Sequence, residues 1–356
     1  MDARKSVYVF LLVFTLSNSI VFAADAGDFT QNGVFLSHNY VKYQSYVNLV
    51  PTLGYNMNVN YRCKYLFVNA GMLNSNGVIT NAATELAKVK DFLNAVKTYE
   101  NSSGFQFIVI GWISGDKNNL AISNSAIRSA IVSECKKFVS ATVPGSYVSG
   151  ANRVFDGISM DIEPSGNDDT YYNHYKTLMD DIRASFNASG LSSKLTSVCA
   201  HKYGTGSIYH WSPVYYYYMA RRVNFIAAMT YNSNSSSAAA YQTWIGDQTY
   251  YILRAVSGKY WDDEAHPVPT NGVKILIGFP AYPASASHNP AYENARYAAL
   301  GTLEGLDDLE ADASDPSENY FKAGFLYLHT DGTGGDNYAN YSTDWWWWGR
   351  YWLAAW

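Results

Sequence analysis

The sequence predicts an α/β protein folded as a single (β/α)8 TIM barrel. Eight short apolar runs alternate with segments whose apolar residues recur at helical spacing, which is the pattern of repeated βα units around a parallel sheet. No Gly/Ser-rich or Pro-rich linker divides the chain, and barrels of this kind commonly reach its length of 356 residues as one domain. A doubly wound open sheet is the alternative.

The apolar runs are the candidate strands, and each is short enough to cross one sheet. They are Val34–Ser37, Tyr65–Asn69, Phe105–Ile110, Phe155–Asp161, Leu195–Ala200, Phe225–Thr230, Lys274–Phe279 and Gly324–Leu328. Helical spacing of apolar residues predicts helices over 86–99, 127–138 and 175–186, with weaker patterns over 211–221, 244–256 and 291–300.

The N-terminus has the order of a secretory signal. Arg4 and Lys5 precede an apolar run over residues 7–16, and small residues lead up to Ala24. We therefore predict a signal peptide over residues 1–24 and a mature domain over 25–356, which includes a Trp-rich C-terminal segment. No later stretch is long and apolar enough to span a bilayer. The expected product is secreted, extracellular, monomeric and free of the membrane once the signal is removed.

Charge and composition narrow the expected partners. The formal net charge is −5 and no block of Lys and Arg occurs, which argues against nucleic acid or an anionic membrane as partner and favours an uncharged substrate. Charged residues make up only 15% of the chain, whereas 31 Tyr and 10 Trp supply side chains suited to stacking on sugars. Neither GxGxxG nor GxxxxGK[ST] occurs, and the His residues have no metal-ligand spacing. We expect no metal and no cofactor.

Two features are interpreted as structural. Cys63, Cys135 and Cys199 each lie in an apolar stretch, so buried free thiols are expected rather than a disulfide. The segment from Trp345 to Trp356 either closes the bottom of the barrel or forms an exposed patch that stacks on sugars. Packing is favoured because Trp side chains are usually well buried.

The stretch Phe155–Pro164 carries the strongest chemical signal. If it is a strand, alternation sends Ser159, Asp161 and Glu163 to one face and apolar side chains to the other. Asp161 and Glu163 then lie one pleat repeat apart, roughly 6.5–7 Å, where two ionised carboxylates repel each other. Packing does not explain such a pair, although a hydrated pair at a sheet edge remains the structural alternative.

Other strand ends place polar and aromatic groups on the same rim, because the working face of a barrel lies at the C-terminal ends of its strands. The sixth candidate strand ends in Met229, Thr230, Tyr231 and Asn232. Trp112, His201 and Tyr282 follow the third, fifth and seventh, although each is as compatible with simple packing. Aromatic rings and carboxylates together favour a carbohydrate cleft.

At these residues the chain resembles glycoside hydrolase family 18, the chitinases and endo-β-N-acetylglucosaminidases. The octet Asp156–Glu163, DGISMDIE, is similar to the family's DxxDxDxE strand-four signature. The run Met229–Asn232, MTYN, resembles its strand-six motif, M-x-Y-D/N. The (β/α)8 pattern covers nearly the whole mature chain.

The resemblance implies a secreted, endo-acting hydrolase that cleaves β-1,4-linked N-acetylglucosamine glycans by substrate-assisted, retaining catalysis. It assigns Glu163 as the acid and base, Asp161 as the group that orients the substrate's N-acetyl group, and Tyr231 as a hydrogen-bond donor to that group. Asn232 would line the subsite. The predicted substrate contacts are completed by Asp156, Ser159, Trp112, Met229 and Tyr282. Because strand alternation puts Asp156 on the opposite face from Asp161 and Glu163, Asp156 is better suited to bracing the barrel.

The chain departs from the family pattern at two places. Ser159 stands where the family's middle aspartate belongs, although its hydroxyl can still donate to Asp161. The eighth strand lacks the tryptophan that floors the subsite in many members, and Trp345 is a candidate replacement. These departures leave open a carbohydrate-binding protein with weak or no turnover. The roughly 40 residues between strands seven and eight are too few for a large chitinase-type insertion domain. Chitin, N-glycans and peptidoglycan all remain possible substrates.

Overall fold

A computed structural model of the protein describes residues 31–116, 118–163, 168–206, 209–261, 263, 265–282, 288–327 and 348–355. The predicted signal segment and Trp345 lie outside these residues. The strands of the described chain are β1 (Asn32–Leu36), β2 (Cys63–Leu73), β3 (Ile108–Asp116), β4 (Gly157–Glu163), β5 (Leu195–Tyr203), β6 (His210–Trp211), β7 (Phe225–Met229), β8 (Lys274–Pro280) and β9 (Phe321–Tyr327).

Eight of these strands form a closed parallel barrel. Consecutive strands pair from β1 to β5 and from β7 to β9, β5 pairs with β7, and β9 pairs with β1, always in parallel. The two-residue strand β6 pairs with the end of β5 and lies outside the ring. Closure confirms the predicted (β/α)8 barrel and excludes the open doubly wound sheet.

Helices follow the strands and cover the outside of the barrel. The longer ones are α5 (Val89–Ser103), α6 (Ser125–Val139), α7 (Asp169–Ala188), α8 (Pro213–Ala220), α9 (Ala238–Ser257) and α10 (Ala295–Glu310). Short helices α1 (Asn39–Lys42), α2 (Gln44–Val47) and α3 (Val50–Tyr55) fill the first connection, and α4 (Ala82–Glu85) precedes α5. All six predicted helices are present. Between β8 and β9 the described residues form only α10 and one short 3-10 helix.

The largest error in a strand boundary concerns β3. The predicted strand was Phe105–Ile110, but the observed strand begins at Ile108 and continues to Asp116. The sequence beyond Ile110 contains Gly111 and Gly115, which weaken a strand pattern. Pairing overrides this weakness, because β3 hydrogen-bonds on both sides, up to Leu73 on β2 and Glu163 on β4.

The C-terminal Trp segment packs against the barrel where the structure describes it. Trp348 and Trp352 are fully buried and contact the outward-facing ring of Phe279. Their indole N–H groups donate to the Tyr61 carbonyl and to Asn32 Oδ1, near the N-terminal ends of the strands. For these two residues the packing interpretation is confirmed.

The three cysteines are buried and form no disulfide, as predicted. Burial raises the pKa of the Cys63 thiol, which keeps it protonated.

Among the helices that the structure describes, none combines the length and the apolar character needed to traverse a lipid bilayer.

Helices α9 and α10 approach each other through glycines. Gly246 on α9 faces the backbone of Gly301 and Gly305 on α10. A Cβ on Gly301 would lie 2.2 Å from the carbonyl oxygen of Gln242, and one on Gly305 would lie 2.5 Å from that of Gly246. The two helices can therefore come this close only because these positions lack side chains.

We expect Gly301→Ala to lower the free energy of unfolding by roughly 1–3 kcal/mol, because the overpacking outweighs the gain in helix propensity. Urea denaturation measures the effect. Gly349→Ala is the matched control, since a Cβ there would meet no atom within 4 Å. Equal stability of the two variants would show that the helix contact tolerates a methyl group.

Candidate active site

Strand β4 carries two acids to the C-terminal mouth of the barrel. Its outward residues Ile158, Met160 and Ile162 are buried under the helices. Ser159, Asp161 and Glu163 therefore face the barrel interior, in the order predicted. Asp161 is only 7% exposed, whereas the Glu163 side chain is 40% exposed. One carboxyl group is thus enclosed and the other reaches the open cleft.

The Asp161 carboxyl group is held by a neighbouring indole. Trp112 Nε1–H on β3 donates to Asp161 Oδ2 over 2.8 Å. Among the described residues no group donates to Asp161 Oδ1, which is also buried. Burial raises the pKa of Asp161 from 3.8 to about 6, and the Trp112 hydrogen bond partly opposes this shift. Asp161 therefore changes charge in the mildly acidic range. Trp112 contacts an acid as well as lining the cleft.

Ser159 does not reach the cleft, which corrects its assignment as a substrate contact. It is fully buried below Asp161, and its hydroxyl lies 3.3 Å from Ser197 Oγ and 3.7 Å from Cys199 Sγ on β5. The hydroxyl therefore bonds across to β5 instead of donating upward to Asp161. The raised pKa of Asp161 is attributable to burial, since Ser159 adds no like charge beneath it.

Asp156 lies at the opposite end of β4, so its assignment as a substrate contact is also wrong. Val109 N–H donates to Asp156 Oδ2 over 2.8 Å, and Arg153 pairs with the same oxygen at 2.5 Å. Arg153 also pairs with the buried Glu100 of α5. Asp156 precedes the first residue of β4, so alternation and position both keep it from the mouth. It braces the lower rim, the role that its parity favours.

A cavity of about 250 Å³ opens above the two acids. It brings together seven predicted residues from four strands and their following loops: Trp112, Asp161, Glu163, Met229, Tyr231, Asn232 and Tyr282. The cavity is also lined by four residues that no sequence pattern indicated as part of the site: Phe35, Cys199, Phe325 and Tyr327.

Aromatic rings form one wall of this cavity. The rings of Tyr231 and Tyr327 are stacked, with centroids 5.0 Å apart and planes at 5°. Tyr282 meets both rings edge-on. Burial raises the pKa of the Tyr231 phenol, which remains a neutral hydrogen-bond donor near neutral pH. Tyr327 is the last residue of β9, the eighth strand of the barrel, and it points to the same face as Phe325. The sequence signal for it is an aromatic side chain of any kind at the end of this strand, and not tryptophan alone.

The loop after β7 is held from below by Glu293. Asn232 has a left-handed backbone, φ 58°, which Asn tolerates better than most residues. Tyr282 Oη donates to Asn232 Oδ1 over 2.5 Å. The buried Glu293 carboxylate accepts from Ser233 N–H at 2.6 Å and Asn234 N–H at 3.1 Å, and it contacts His288 at 3.1 Å. Burial alone would raise the pKa of Glu293, but these bonds lower it, so the carboxylate stays ionised. Its contacts with the loop are distant in sequence, and no local motif indicates them.

A second cavity of about 380 Å³ adjoins the first on the other side of Glu163. The two share Glu163, Met229, Tyr231 and Asn232. The second cavity is completed by four further residues: His201, Lys202, Tyr209 and Asn234. His201 Nε2 lies 4.0 Å from Glu163 Oε2, and the His201 side chain is buried. Glu163 therefore lies between two halves of one cleft.

The described part of the chain has no cluster of three or more His, Cys, Asp and Glu side chains suited to a metal ion. The groups assembled at the mouth are instead an accessible carboxyl group, a buried carboxyl group held by an indole, and a neutral phenol. An acid that reaches the cleft can transfer a proton, and an enclosed carboxylate can stabilise a developing cation nearby.

The raised pKa of Asp161 makes a prediction about stability. Between about pH 4 and 6 the folded state holds a proton on Asp161 that the unfolded state has released, so this group's contribution to stability falls as pH rises. Asp161→Asn removes the titration. We expect the unfolding free energy of the wild type relative to Asp161→Asn to fall by about 2 kcal/mol from pH 4 to pH 7. Urea denaturation across this range measures it, and parallel curves would contradict the raised pKa.

Solved bacterial structures share the fold at low sequence identity. The spore cortex-lytic enzymes SleL of Bacillus megaterium and Bacillus cereus are 12% and 10% identical, each with a TM-score of 0.52. The alignments cover 83% and 90% of this chain and 70% and 74% of those chains. A family 18 chitinase from Cycas revoluta, solved with allosamidin, is 16% identical with a TM-score of 0.47, covering 70% of this chain and 68% of that one.

No curated protein sequence matches the chain. The model of glycosyl hydrolases family 18 matches residues 37–350, which include seven of the eight barrel strands, β2 to β5 and β7 to β9, and both motif regions at the mouth of the barrel. With the closed (β/α)8 barrel and the Asp161 and Glu163 pair on β4, this match shows that the chain is a glycoside hydrolase belonging to glycosyl hydrolases family 18.

Proposed function

We propose that the protein is a secreted, endo-acting hydrolase of β-1,4-linked N-acetylglucosamine glycans that works by substrate-assisted, retaining catalysis. The observation that carries the proposal is the position of Asp161 and Glu163 on the inward face of β4, with Tyr231 lining the same cavity. Secretion rests on the sequence of residues 1–24.

In the proposed first step, Glu163 donates its proton to the glycosidic oxygen while the substrate's own acetamido oxygen attacks the anomeric carbon. The bond from that carbon to the leaving oxygen breaks, and a cyclic oxazolinium ion forms. In the second step the Glu163 carboxylate takes a proton from water. The water oxygen attacks the anomeric carbon, the ring opens, and the configuration is retained because the carbon is inverted twice. Glu163 suits both steps because its side chain reaches the open cleft.

Asp161 and Tyr231 would act on the acetamido group. An ionised Asp161 accepts the amide N–H and stabilises the positive charge that develops on the oxazolinium ion. The indole of Trp112 favours that ionised form, since it donates 2.8 Å to Oδ2. Tyr231 donates from its neutral phenol. The role of Asp161 as an acceptor requires it to lose its proton, so activity should decline as pH falls through about 6.

Endo action is supported by the shape of the cleft. Glu163 borders both cavities, so a glycan chain can extend in both directions from the bond that Glu163 protonates. An exo-acting site would close one side of the acid.

A second candidate, a glycan-binding protein with weak or no turnover, is favoured by Ser159. Its neutral side chain bonds to β5, so Asp161 has no second acid with which to share a proton. Turnover at mildly acidic to neutral pH separates the candidates.

We expect Glu163→Gln to lower kcat on chito-oligosaccharides by roughly 10²–10⁴-fold, the range for loss of a general acid, while substrate binding is retained. Product analysis and calorimetric titration measure the two effects. Glu304→Gln, at an exposed position on α10, is the control and should match the wild type. Equal rates for Glu163→Gln and the wild type would rule out the assignment, and tight binding without turnover by the wild type would favour the second candidate.

Tyr327 should replace the family's strand-eight tryptophan as an aromatic surface of the cleft. We expect Tyr327→Ala to lower kcat/KM about tenfold, because its stack with Tyr231 and any stack with substrate are both lost. Tyr327→Phe keeps the ring and should stay within about threefold of the wild type. Equal losses in both variants would assign the effect to the hydroxyl group.

A further inference from the structure

One cationic side chain lines the cleft. Lys202 on β5 borders the second cavity, beyond Glu163. Among the described residues, no other Lys or Arg lines either cavity, whereas Asp161 and Glu163 both do. A positive charge at this position is unexpected for a site that binds only neutral sugars.

The surroundings of Lys202 do not account for its charge. Its Nζ donates to the Asn232 carbonyl over 2.6 Å and lies 5.9 Å from the centre of the Trp244 ring. In the described structure no carboxylate oxygen lies within 4.0 Å of Lys202 Nζ, since the ion pairs of Glu163 and Glu293 are formed with His201 and His288. Burial lowers the pKa of Lys202, and the more distant charge of Glu293 partly opposes this shift. An ammonium group has three donors, of which the carbonyl uses one.

A neutral donor would satisfy the Asn232 carbonyl equally well. Holding a partly buried cation without an ion pair is unfavourable, because the more distant charge of Glu293 offsets its desolvation only in part. The position therefore suits a ligand that supplies the counter-charge, and a charge-assisted hydrogen bond to a carboxylate is stronger than one to a neutral group.

The location of Lys202 indicates which sugar would carry the charge. Under the proposed function, Asp161 and Tyr231 hold the acetamido group of the sugar whose glycosidic bond is broken. Glu163 protonates the oxygen on the far side of that sugar. The second cavity then holds the leaving sugar, and Lys202 is a side chain of that half of the cleft.

We propose that the leaving half of the cleft binds a sugar bearing a carboxylate, so that the preferred bond joins N-acetylglucosamine in β-1,4 linkage to an acidic sugar. Lys202 is its specificity-determining residue. The proposal rests on the proposed function and replaces the uncharged substrate expected from net charge. Two sources supply this chemistry, a lactyl ether carboxylate as in N-acetylmuramic acid and a ring carboxylate as in a hexuronic acid.

The test compares three oligosaccharide ladders of equal length: N-acetylglucosamine alone, N-acetylglucosamine alternating with N-acetylmuramic acid, and N-acetylglucosamine alternating with glucuronic acid. We expect wild-type kcat/KM on one acidic ladder to exceed that on the neutral ladder by at least tenfold, and to fall as salt is added. The acidic ladder that is cleaved identifies the source. No preference for either acidic ladder would overturn the proposal.

Lys202→Gln should reduce kcat/KM on the preferred acidic ladder at least tenfold more than on the neutral ladder, and Lys202→Arg should retain most of the preference. Lys194→Gln is the matched control. Lys194 lies just before the other end of β5, and its Nζ also donates to one backbone carbonyl, that of Phe155, over 2.9 Å. Lys194→Gln should leave kcat/KM on the acidic ladder and on the neutral ladder unchanged. Equal losses on all ladders for Lys202→Gln would assign Lys202 to holding Asn232 and overturn the proposal.

Binding separates this proposal from the proposed function. In the Glu163→Gln background, calorimetric titration measures affinity for intact ladders. We expect Lys202→Gln in that background to weaken binding of the acidic ladder about tenfold. If the wild type turns over no ladder yet this difference in affinity is present, the hydrolase assignment fails and the acidic subsite stands. If turnover occurs without the difference, only the acidic subsite fails.

Discussion

The enclosure of the Asp161 carboxyl group is the constraint on which the site depends. β4 pairs with β5 up to Met160 and with β3 along its whole length, where Ser114 lies opposite Asp161 and Asp116 opposite Glu163, so neither acid can shift without breaking the ladder with β3. Burial disfavours the ionised form, and the single indole hydrogen bond from Trp112 favours it. The two effects together raise the pKa of Asp161 to about 6, so its charge changes in the mildly acidic range.

On the opposite rim, the loop that carries Tyr231 is held rigidly by buried charges. The loop after β7 carries Tyr231 and Asn232, and its left-handed turn is fixed from below by the ionised Glu293 and from the side by Lys202. Two buried or partly buried charges thus act on one loop, each through backbone groups. This explains how a short segment with unfavourable backbone angles can hold a phenol and an amide steadily at the mouth.

The sequence predicted what depends on local pattern and missed what depends on tertiary contact. Alternation identified the inward face of β4, and the MTYN run placed Tyr231 and Asn232. Asp156 and Ser159, named among the substrate contacts, lie away from the cleft, because a motif residue can brace the barrel without meeting substrate; for Asp156 the strand parity had favoured that role. The predicted β3 ended too early because glycines weaken a strand pattern, whereas pairing with β2 and β4 extends the strand itself. No local motif indicates Glu293 or Lys202, since the loop groups they hold lie 59 to 60 and 30 residues away in sequence.

The departure at Ser159 bears on both halves of the cleft. Without an acid beneath it, Asp161 cannot relay a proton inward, so its charge is governed by burial, Trp112 and whatever occupies the cleft. A carboxylate bound at Lys202 would add negative charge beyond Glu163 and favour the protonated acid there, which is the form that donates to the leaving oxygen. An acidic leaving sugar would in this way favour protonation of the glycosidic oxygen through which it leaves. Ser159 and Lys202 are therefore consistent with each other: the negative charge that the family's middle aspartate supplies inside the barrel would come here from the carboxylate of the substrate.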